Sequence, residues 1–295
     1  MDLDDYQSAA QATDQKPGRE GDAIVVPLLG MAGEAGDLLT AYKKRLRDGP
    51  AYTAFEDRMA EELGDILWYV ANLASKFDLS LSGIAETNLA KTGTRWGSRP
   101  EREPDPTDPL LFDAAYPPHE QFPREMTAEV TETIDETGMA IVRLTVNGSP
   151  VGDPLNDNAR IDDGYRFHDV LHLAHVATLG WSPTMRRLMK RKRKSDPGVD
   201  HAEDGARATI VDEGVVEMIF DYARRHSFLE GVDRVDYELL RAIKQRTSGL
   251  EVSARSVAEW ERAILESYRL WRAIRVKGGG RFRLDLLKRQ IELLD

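Results

Sequence analysis

Residues 29–39 read LGMAGEAGDLL and residues 61–69 read EELGDILWY, and these two stretches decide the fold of the first third of the chain. Each carries two carboxylates three residues apart within an apolar, helix-periodic sequence: Glu34 with Asp37, and Glu62 with Asp65. Residues three apart lie on one face of a helix. If the two helices lie antiparallel, we expect the four carboxylates to converge on one small volume.

This cluster predicts a metal site. Four negative charges held close together repel one another strongly unless a cation lies between them. Oxygen ligands suit a hard divalent ion, so we expect Mg²⁺, or alternatively Mn²⁺, rather than zinc or copper. A di-iron bundle would use Glu-x-x-His ligands, and the first hundred residues contain no histidine.

The composition limits the classes of function. A length of 295 residues allows two domains of ordinary size. A formal net charge of −11 argues against a nucleic-acid coat or a protein that binds anionic membranes. The chain has no cysteine, which excludes disulfides and thiolate metal sites. The acidic N-terminus is unlike a secretory signal, and we expect no membrane-spanning run of about 20 apolar residues. We therefore expect a cytoplasmic protein.

Changes in composition divide the chain into three parts. Residues 1–97 predict four helices, over about 4–12, 22–46, 54–77 and from Ser80 or Ser82 to 96. Residues 98–124 hold seven of the fourteen prolines and predict a linker. Residues 125–295 predict a mostly helical domain with a small antiparallel sheet at its start. The predicted fold class is therefore mainly α, with a four-helix unit followed by this second domain.

Within the second domain, alternating apolar residues predict strands over 126–134 and 139–146, and Asn147-Gly148 predicts a hairpin turn. Residues 149–155 are expected to return as a third strand. The helical period then predicts helices over about 165–179, 183–194, 204–226, 234–247, 254–275 and 281–294. Gly278-Gly279-Gly280 is expected to form a turn between the last two helices.

The two acidic stretches, together with Asn88-Leu89-Ala90-Lys91 and the following Arg95, resemble the MazG family of nucleoside triphosphate pyrophosphohydrolases. The resemblance covers about the first hundred residues. The 24 residues between Asp37 and Glu62 fit the two-pair layout of this family on adjacent antiparallel helices. One position departs from the pattern, because the family's first pair is usually Glu-x-x-Glu and the shorter Asp37 is the second member here.

The resemblance implies a function and a set of site residues. It implies that Mg²⁺ is held by Glu34, Asp37, Glu62 and Asp65, and that a water attacks the α-phosphorus of a nucleoside triphosphate. The products would be a nucleoside monophosphate and pyrophosphate. Asn88, Lys91 and Arg95 would bind the phosphates. The family builds its site within dimers or tetramers, which implies a homo-oligomer. Nucleotide-pool sanitation, stress or phage defence would be the setting.

Two other interpretations of the first domain stay open. Acidic pairs also occur as ordinary surface charges on amphipathic helices, although two pairs followed by Asn88 and Lys91 favour a site. The domain could also sense a nucleotide without cleaving it, with the effector role in the second domain.

The second domain contains another possible site. His168, Asp169 and His172 lie on one predicted helix, with His175 one turn further, and Glu213 and Glu217 interrupt another apolar helix. They could form a second metal site or an acid–base hydrolase site. They could equally form a buried cluster that fixes the packing of the helices, which is the interpretation we favour. The segment from Asp163 to Pro197 is similar to the C-terminal domain fused to some MazG modules, for which the resemblance implies no activity.

A basic run follows these histidines and ends at Ser195-Asp196-Pro197. In an acidic protein such a run could contact phosphate or nucleic acid, or it could be the solvated end of a helix. Its members are Arg186, Arg187, Lys190, Arg191, Lys192, Arg193 and Lys194.

Overall fold

The computed structural model describes residues 1–96 and 111–294, and for residues 90, 91 and 94–96 it describes the backbone alone. The chain divides into two compact units at Gly97 and Ser98. The described residues are mainly helical, with ten α-helices and one five-stranded sheet. Unit 1 contains α1 (Leu3–Gln11), α2 (Asp22–Asp48), α3 (Phe55–Lys76) and α4 (Leu81–Trp96).

Helices α2 and α3 pack against each other in antiparallel directions. Gly30 near the start of α2 lies against Tyr69 near the end of α3, and Tyr42 lies beside Phe55, with 6.3 Å between ring centroids. The ring of Tyr69 leaves no space for a Cβ at position 30, so a glycine is needed there.

The helical pair leaves much apolar surface exposed. On α2, Leu29, Leu39 and Leu46 are 67%, 69% and 71% exposed, and on α3, Leu63 is 52% exposed. The segment Asp22–Ala51 is long and apolar enough to cross a membrane by length and composition, contrary to our expectation from the sequence. The core helix of a soluble protein passes the same test, and this helix carries two of the predicted site carboxylates.

Unit 2 is built around one antiparallel sheet. Its strands are β1 (Glu125–Ile134), β2 (Ala140–Val146), β3 (Ser149–Leu155), β4 (Gly279–Asp285) and β5 (Gln290–Leu294), in the order β3-β2-β1-β4-β5. The helix predicted over 281–294 is therefore wrong. Phe282 and Leu284 alternate with Arg281 and Arg283 and are fully buried, which is the period of a strand with one face on the core.

The described residues of unit 2 also form six α-helices. They are α5 (Asp169–Leu179), α6 (Pro183–Leu188), α7 (Pro197–Ala202), α8 (Ala206–Arg225), α9 (Tyr237–Arg246) and α10 (Val257–Lys277). Of these, α5 and α10 pack against β4 and β5 of the sheet. Every residue of α5 is buried, so this helix runs through the centre of the unit. A capping box of Ser256 and Glu259 begins α10, and Gly278, with a φ of 71°, ends it.

The second half of the proline-rich segment belongs to the core of unit 2. Leu111 and Phe122 are buried in its main cluster of apolar residues. Asp113 is buried and accepts hydrogen bonds from Phe122 N at 2.8 Å and from Arg186 Nη2 at 2.9 Å. Residues 111–124 are therefore held in place by specific buried contacts.

Candidate functional site

The predicted acidic site forms between α2 and α3. Ligand oxygens of Glu34, Glu62 and Asp65 all lie within 4.8 Å of one another. Glu34 is half-buried, Glu62 is 1% exposed, and Asp65 faces solvent. Asp37 is exposed one turn beyond Glu34, outside this group of three, but near enough that its charge contributes to raising the pKa of Glu62. Three of the four predicted carboxylates thus converge where α2 and α3 pack against each other, and Asp37 lies outside this group.

The surroundings of Glu62 disfavour its negative charge, and a bound cation would offset this effect. Burial raises the pKa of this carboxyl, and the adjacent carboxylates of Glu34 and Asp37 raise it further, whereas the charge of Arg58 acts in the opposite direction. The Nη2 of Arg58 is ion-paired with the buried Oε1 of Glu62, so a guanidinium already contacts this oxygen. A buried carboxylate beside other carboxylates, with one guanidinium as counter-charge, fits a cation ligand.

The predicted phosphate-binding residues lie on α4. Asn88 is exposed. The side chains of Lys91 and Arg95 lie outside the described residues. Their proposed contacts with phosphate therefore rest on the sequence.

A second cluster forms between α5 and α8, and its membership differs from the prediction. His172 is fully buried, with Nδ1 3.1 Å from Asp212 Oδ1 and Nε2 3.3 Å from Glu213 Oε2. His168 Nε2 lies 3.9 Å from Asp169 Oδ1 and 4.0 Å from Glu213 Oε2. Glu217 is exposed, and the partner of His172 on α8 is instead the buried Asp212.

Two small polar residues complete this cluster. Ser182 Oγ donates to Asp212 Oδ2 at 2.6 Å, and the backbone N–H of Thr184 donates to the same oxygen at 3.1 Å. Thr184 Oγ1 donates to Glu213 Oε1 at 3.2 Å. Burial would lower the pKa of His172, but the charges and hydrogen bonds of Asp212 and Glu213 raise it to about 10. The cluster is therefore a tightly coupled polar network inside an apolar unit.

The basic run is largely structural. Its predicted helix ends at Leu188 rather than near residue 194, and Lys190 has a positive φ of 59°. Arg186 and Arg193 are each 1% exposed. Arg186 is ion-paired with Asp113, and Arg193 donates to buried Asp204 at 2.8 Å and to Glu251 at 2.8 Å. These two guanidinium groups are not accessible to a nucleic acid.

Comparisons with known proteins agree with this organisation. Residues 27–98 match the family described as "MazG nucleotide pyrophosphohydrolase domain", and residues 107–295 match the family described as "MazG C-terminal domain". The second match alone covers more than half of the chain. The first match includes both acidic pairs, and the second includes the cluster between α5 and α8.

One curated relative is the "Gene 37 protein" of Mycobacterium phage L5. It is 40% identical over an alignment of 103 residues, and the match covers 32% of this chain and 89% of that protein. No solved structure matches the chain.

Proposed function

Because this chain belongs to the MazG family of nucleotide pyrophosphohydrolases, which are hydrolases acting on acid anhydrides, we propose that it cleaves (deoxy)nucleoside triphosphates with Mg²⁺, or alternatively Mn²⁺. The products are a nucleoside monophosphate and pyrophosphate. The observation that carries the proposal is the convergence of Glu34, Glu62 and Asp65 from two helices, with ligand oxygens within 4.8 Å of one another.

The chemistry of the ligands supports a hard divalent ion. Glu34, Glu62 and Asp65 offer only carboxylate oxygens, and Glu62 is buried beside the other carboxylates with Arg58 as an ion-pair partner. Asp37 is the fourth member of the proposed ligand set. Because its side chain is one methylene shorter than glutamate and it lies outside the closest group, we propose that it binds through a water. When bound, the ion supplies charge neutralisation for the triphosphate and lowers the pKa of a bound water.

The residues of the chain have separate roles in the proposed reaction. A new bond forms between the oxygen of a water and the α-phosphorus, and the bond from that phosphorus to the bridging oxygen of the β-phosphate breaks. An exposed carboxylate, Asp65 or Asp37, takes the proton of the attacking water. Asn88, Lys91 and Arg95 bind the phosphate oxygens, and Arg58 holds the side chain of Glu62 through their ion pair.

The exposed apolar face of unit 1 supports self-association. Leu29, Leu39, Leu46 and Leu63 are each more than half exposed in the single chain, which is unusual for one contiguous helical pair. We propose that a second copy covers this face, in a homodimer or homotetramer, rather than a membrane. The net charge of −11 also makes a nucleic-acid partner unfavourable. We propose a cytoplasmic role in nucleotide-pool sanitation, stress or phage defence.

The test measures pyrophosphate release from a panel of ribo- and deoxyribonucleoside triphosphates, with and without Mg²⁺, for three proteins. The wild type should release pyrophosphate only with the metal. Glu62→Gln should lower kcat by about 100-fold or more, because a neutral amide is a poor ligand for Mg²⁺. Glu61→Gln is the matched control, since Glu61 is adjacent, exposed and ion-paired with Arg58 at 2.8 Å.

The control should retain activity within about threefold of the wild type, as expected for an exposed ion pair. Tight nucleotide binding without turnover in the wild type would favour the sensor instead. Equal activity of Glu62→Gln and the wild type would refute the proposed site.

A further inference from the structure

The cluster between α5 and α8 contains three side chains that converge as metal ligands do. One atom each of His168, His172 and Glu213 lies within 4.8 Å of the other two. These groups belong to unit 2 and share no residue with the acidic site of unit 1. The donor and acceptor roles within the cluster decide what it can bind.

His168 presents a lone pair to the centre of this group. Its Nδ1 lies 2.8 Å from the backbone carbonyl of Tyr165, which can only accept, so the proton of the neutral ring is on Nδ1. The ring of Tyr165 stacks on His168 with 4.3 Å between centroids, which fixes the orientation of the imidazole. The unprotonated Nε2 then faces carboxylate oxygens of Asp169 and Glu213 at 3.9 and 4.0 Å. These distances are too long for hydrogen bonds, and a cation between the three groups would attract all of them.

His172 is oriented in the same way. Asp212 Oδ1 lies 3.1 Å from its Nδ1, and Ser182 and the backbone of Thr184 hold Asp212 through the other oxygen. A carboxylate that accepts from Nδ1–H is the usual partner of a metal-binding histidine, because it fixes the tautomer and the direction of Nε2. That Nε2 points to Glu213 Oε2, the same oxygen that faces His168.

Glu213 gives the cluster access to solvent. Its side chain is 39% exposed, whereas His172 and Asp212 are fully buried. Its second oxygen accepts from Thr184 Oγ1 at 3.2 Å, which turns Oε2 toward the two histidines. An ion could therefore enter past Glu213 and find two imidazole nitrogens already oriented.

We propose that unit 2 binds one divalent transition-metal ion through His168 Nε2, His172 Nε2 and the carboxylate of Glu213, with Asp169 as the nearest further carboxylate. Imidazole ligands favour Zn²⁺, Fe²⁺, Co²⁺ or Ni²⁺ over Mg²⁺. The site thus differs in ligand chemistry from the oxygen-only cluster of unit 1. It does not depend on the function proposed for that cluster.

The competing explanation is a cluster held together by a proton. In that case His172 is an imidazolium between Asp212 and Glu213, and the network only fixes the packing of α5 and α8. It predicts no stoichiometric metal binding. The two explanations therefore differ in a quantity that can be measured directly on the full chain.

The test titrates Co²⁺ into full-length protein freed of metal with a chelator and records visible absorption. Nitrogen-ligated Co²⁺ of low coordination number absorbs far more strongly than Co²⁺ in an octahedral oxygen site. The wild type and Glu62→Gln should both bind one equivalent with visible bands. His168→Asn should lose the bands, because asparagine keeps a donor near the Nδ1 position and lacks the Nε2 ligand.

Glu213→Gln should weaken Co²⁺ binding about tenfold or more, and because this position is partly exposed the variant should fold as the wild type does. Glu217→Gln is the matched control, one turn further on α8 and exposed, and it should bind as the wild type does. Zn²⁺ should raise the melting temperature of the wild type and the control but not of His168→Asn. Absence of visible bands in the wild type, or bands unchanged in both His168→Asn and Glu213→Gln, would overturn the proposal.

Discussion

Replacing Arg193 by methionine should strongly destabilise unit 2, although the sequence places this residue in a run that suggests an exposed basic surface. Its guanidinium is 1% exposed and donates to both oxygens of Asp204, at 3.1 and 2.8 Å, and to both oxygens of Glu251, each at 2.8 Å. It also donates to the carbonyl of Phe112 at 3.2 Å. Methionine keeps the length and the apolar contacts of the stem but removes the charge.

The size of the effect follows from the buried carboxylate that loses its ion-pair partner. Asp204 is fully buried, so removing Arg193 leaves a carboxylate without its main counter-charge. Breaking a buried pair in this way costs about 3–5 kcal/mol in the free energy of unfolding. For a domain of this size, each kcal/mol lowers the melting temperature by about 2–4 °C, so we expect a decrease of about 6–20 °C.

Arg187→Met is the matched control for this prediction. Arg187 belongs to the same basic run and is exposed, so the same substitution there should change the unfolding free energy by no more than about 0.5 kcal/mol. Urea unfolding can be followed through the fluorescence of Trp181, Trp260 and Trp271, which are buried in unit 2. Equal midpoints for Arg193→Met and Arg187→Met would refute the assignment of Arg193 to the core.

A double-mutant cycle separates the charge from the packing. Asp204→Asn alone should also destabilise, because Arg193 would then be the buried charge with reduced compensation. The double variant, Arg193→Met with Asp204→Asn, should cost less than the sum of the single variants by about 0.5–3 kcal/mol. Strict additivity would mean that the two side chains do not stabilise each other.

Three further outcomes follow from the structure. Gly30→Ala should destabilise unit 1 by about 1–3 kcal/mol in thermal unfolding, because the new Cβ would collide with the ring of Tyr69. Gly36→Ala places its Cβ in open space and should stabilise unit 1 by about 0.5–1 kcal/mol. Burial opposes ionisation of Asp113, but Arg186 and hydrogen bonds hold the pKa of this carboxyl below the usual 3.8. The stability that its charge contributes is therefore present above about pH 4 and is lost as the pH falls through the folded-state pKa. Asp113→Asn should make the unfolding free energy less dependent on pH in this acidic range. Leu29→Glu should reduce the mass measured by light scattering if a second copy covers that 67% exposed side chain, and an unchanged mass would contradict that interface.

The convergence of Glu34, Glu62 and Asp65 was predictable from the sequence because its signal is local. Two i,i+3 pairs on helical segments fix which faces carry carboxylates, and only the antiparallel direction had to be assumed. The requirement for glycine at position 30 was not predictable in the same way. Gly30 is needed because of Tyr69, which lies 39 positions further along the chain, and only the register of α2 against α3 brings the two together.

The C-terminal strands were missed because a short apolar segment fits both periods. Leu284, Ile291 and Leu294 suit a helix. The pairing of β4 with β1 joins residues 148 to 160 positions apart, from Thr131 with Gly279 to Glu125 with Asp285, and no local pattern reveals such a pairing. The alternation of buried Phe282 and Leu284 with Arg281 and Arg283 was the available signal. Where glycines precede a segment, this alternation is a stronger signal than the helical period, because the glycines disfavour continuation of the preceding helix.

The cluster of unit 2 gives the most instructive error, since the sequence identified its histidines and Glu213 but chose Glu217 over Asp212. The buried stripe of α8 contains Val215, Val216 and Ile219. Position 212 lies three and four residues before the two valines, so the helical period places Asp212 in this stripe and Glu217 on the other side. A carboxylate in a buried stripe needs a partner, and His172 on α5 is that partner. Asp212, the residue that most disturbs the apolar period of α8, thus orients the candidate ligand His172. The other candidate ligand, Glu213, lies at the edge of the buried stripe, where an ion can reach it.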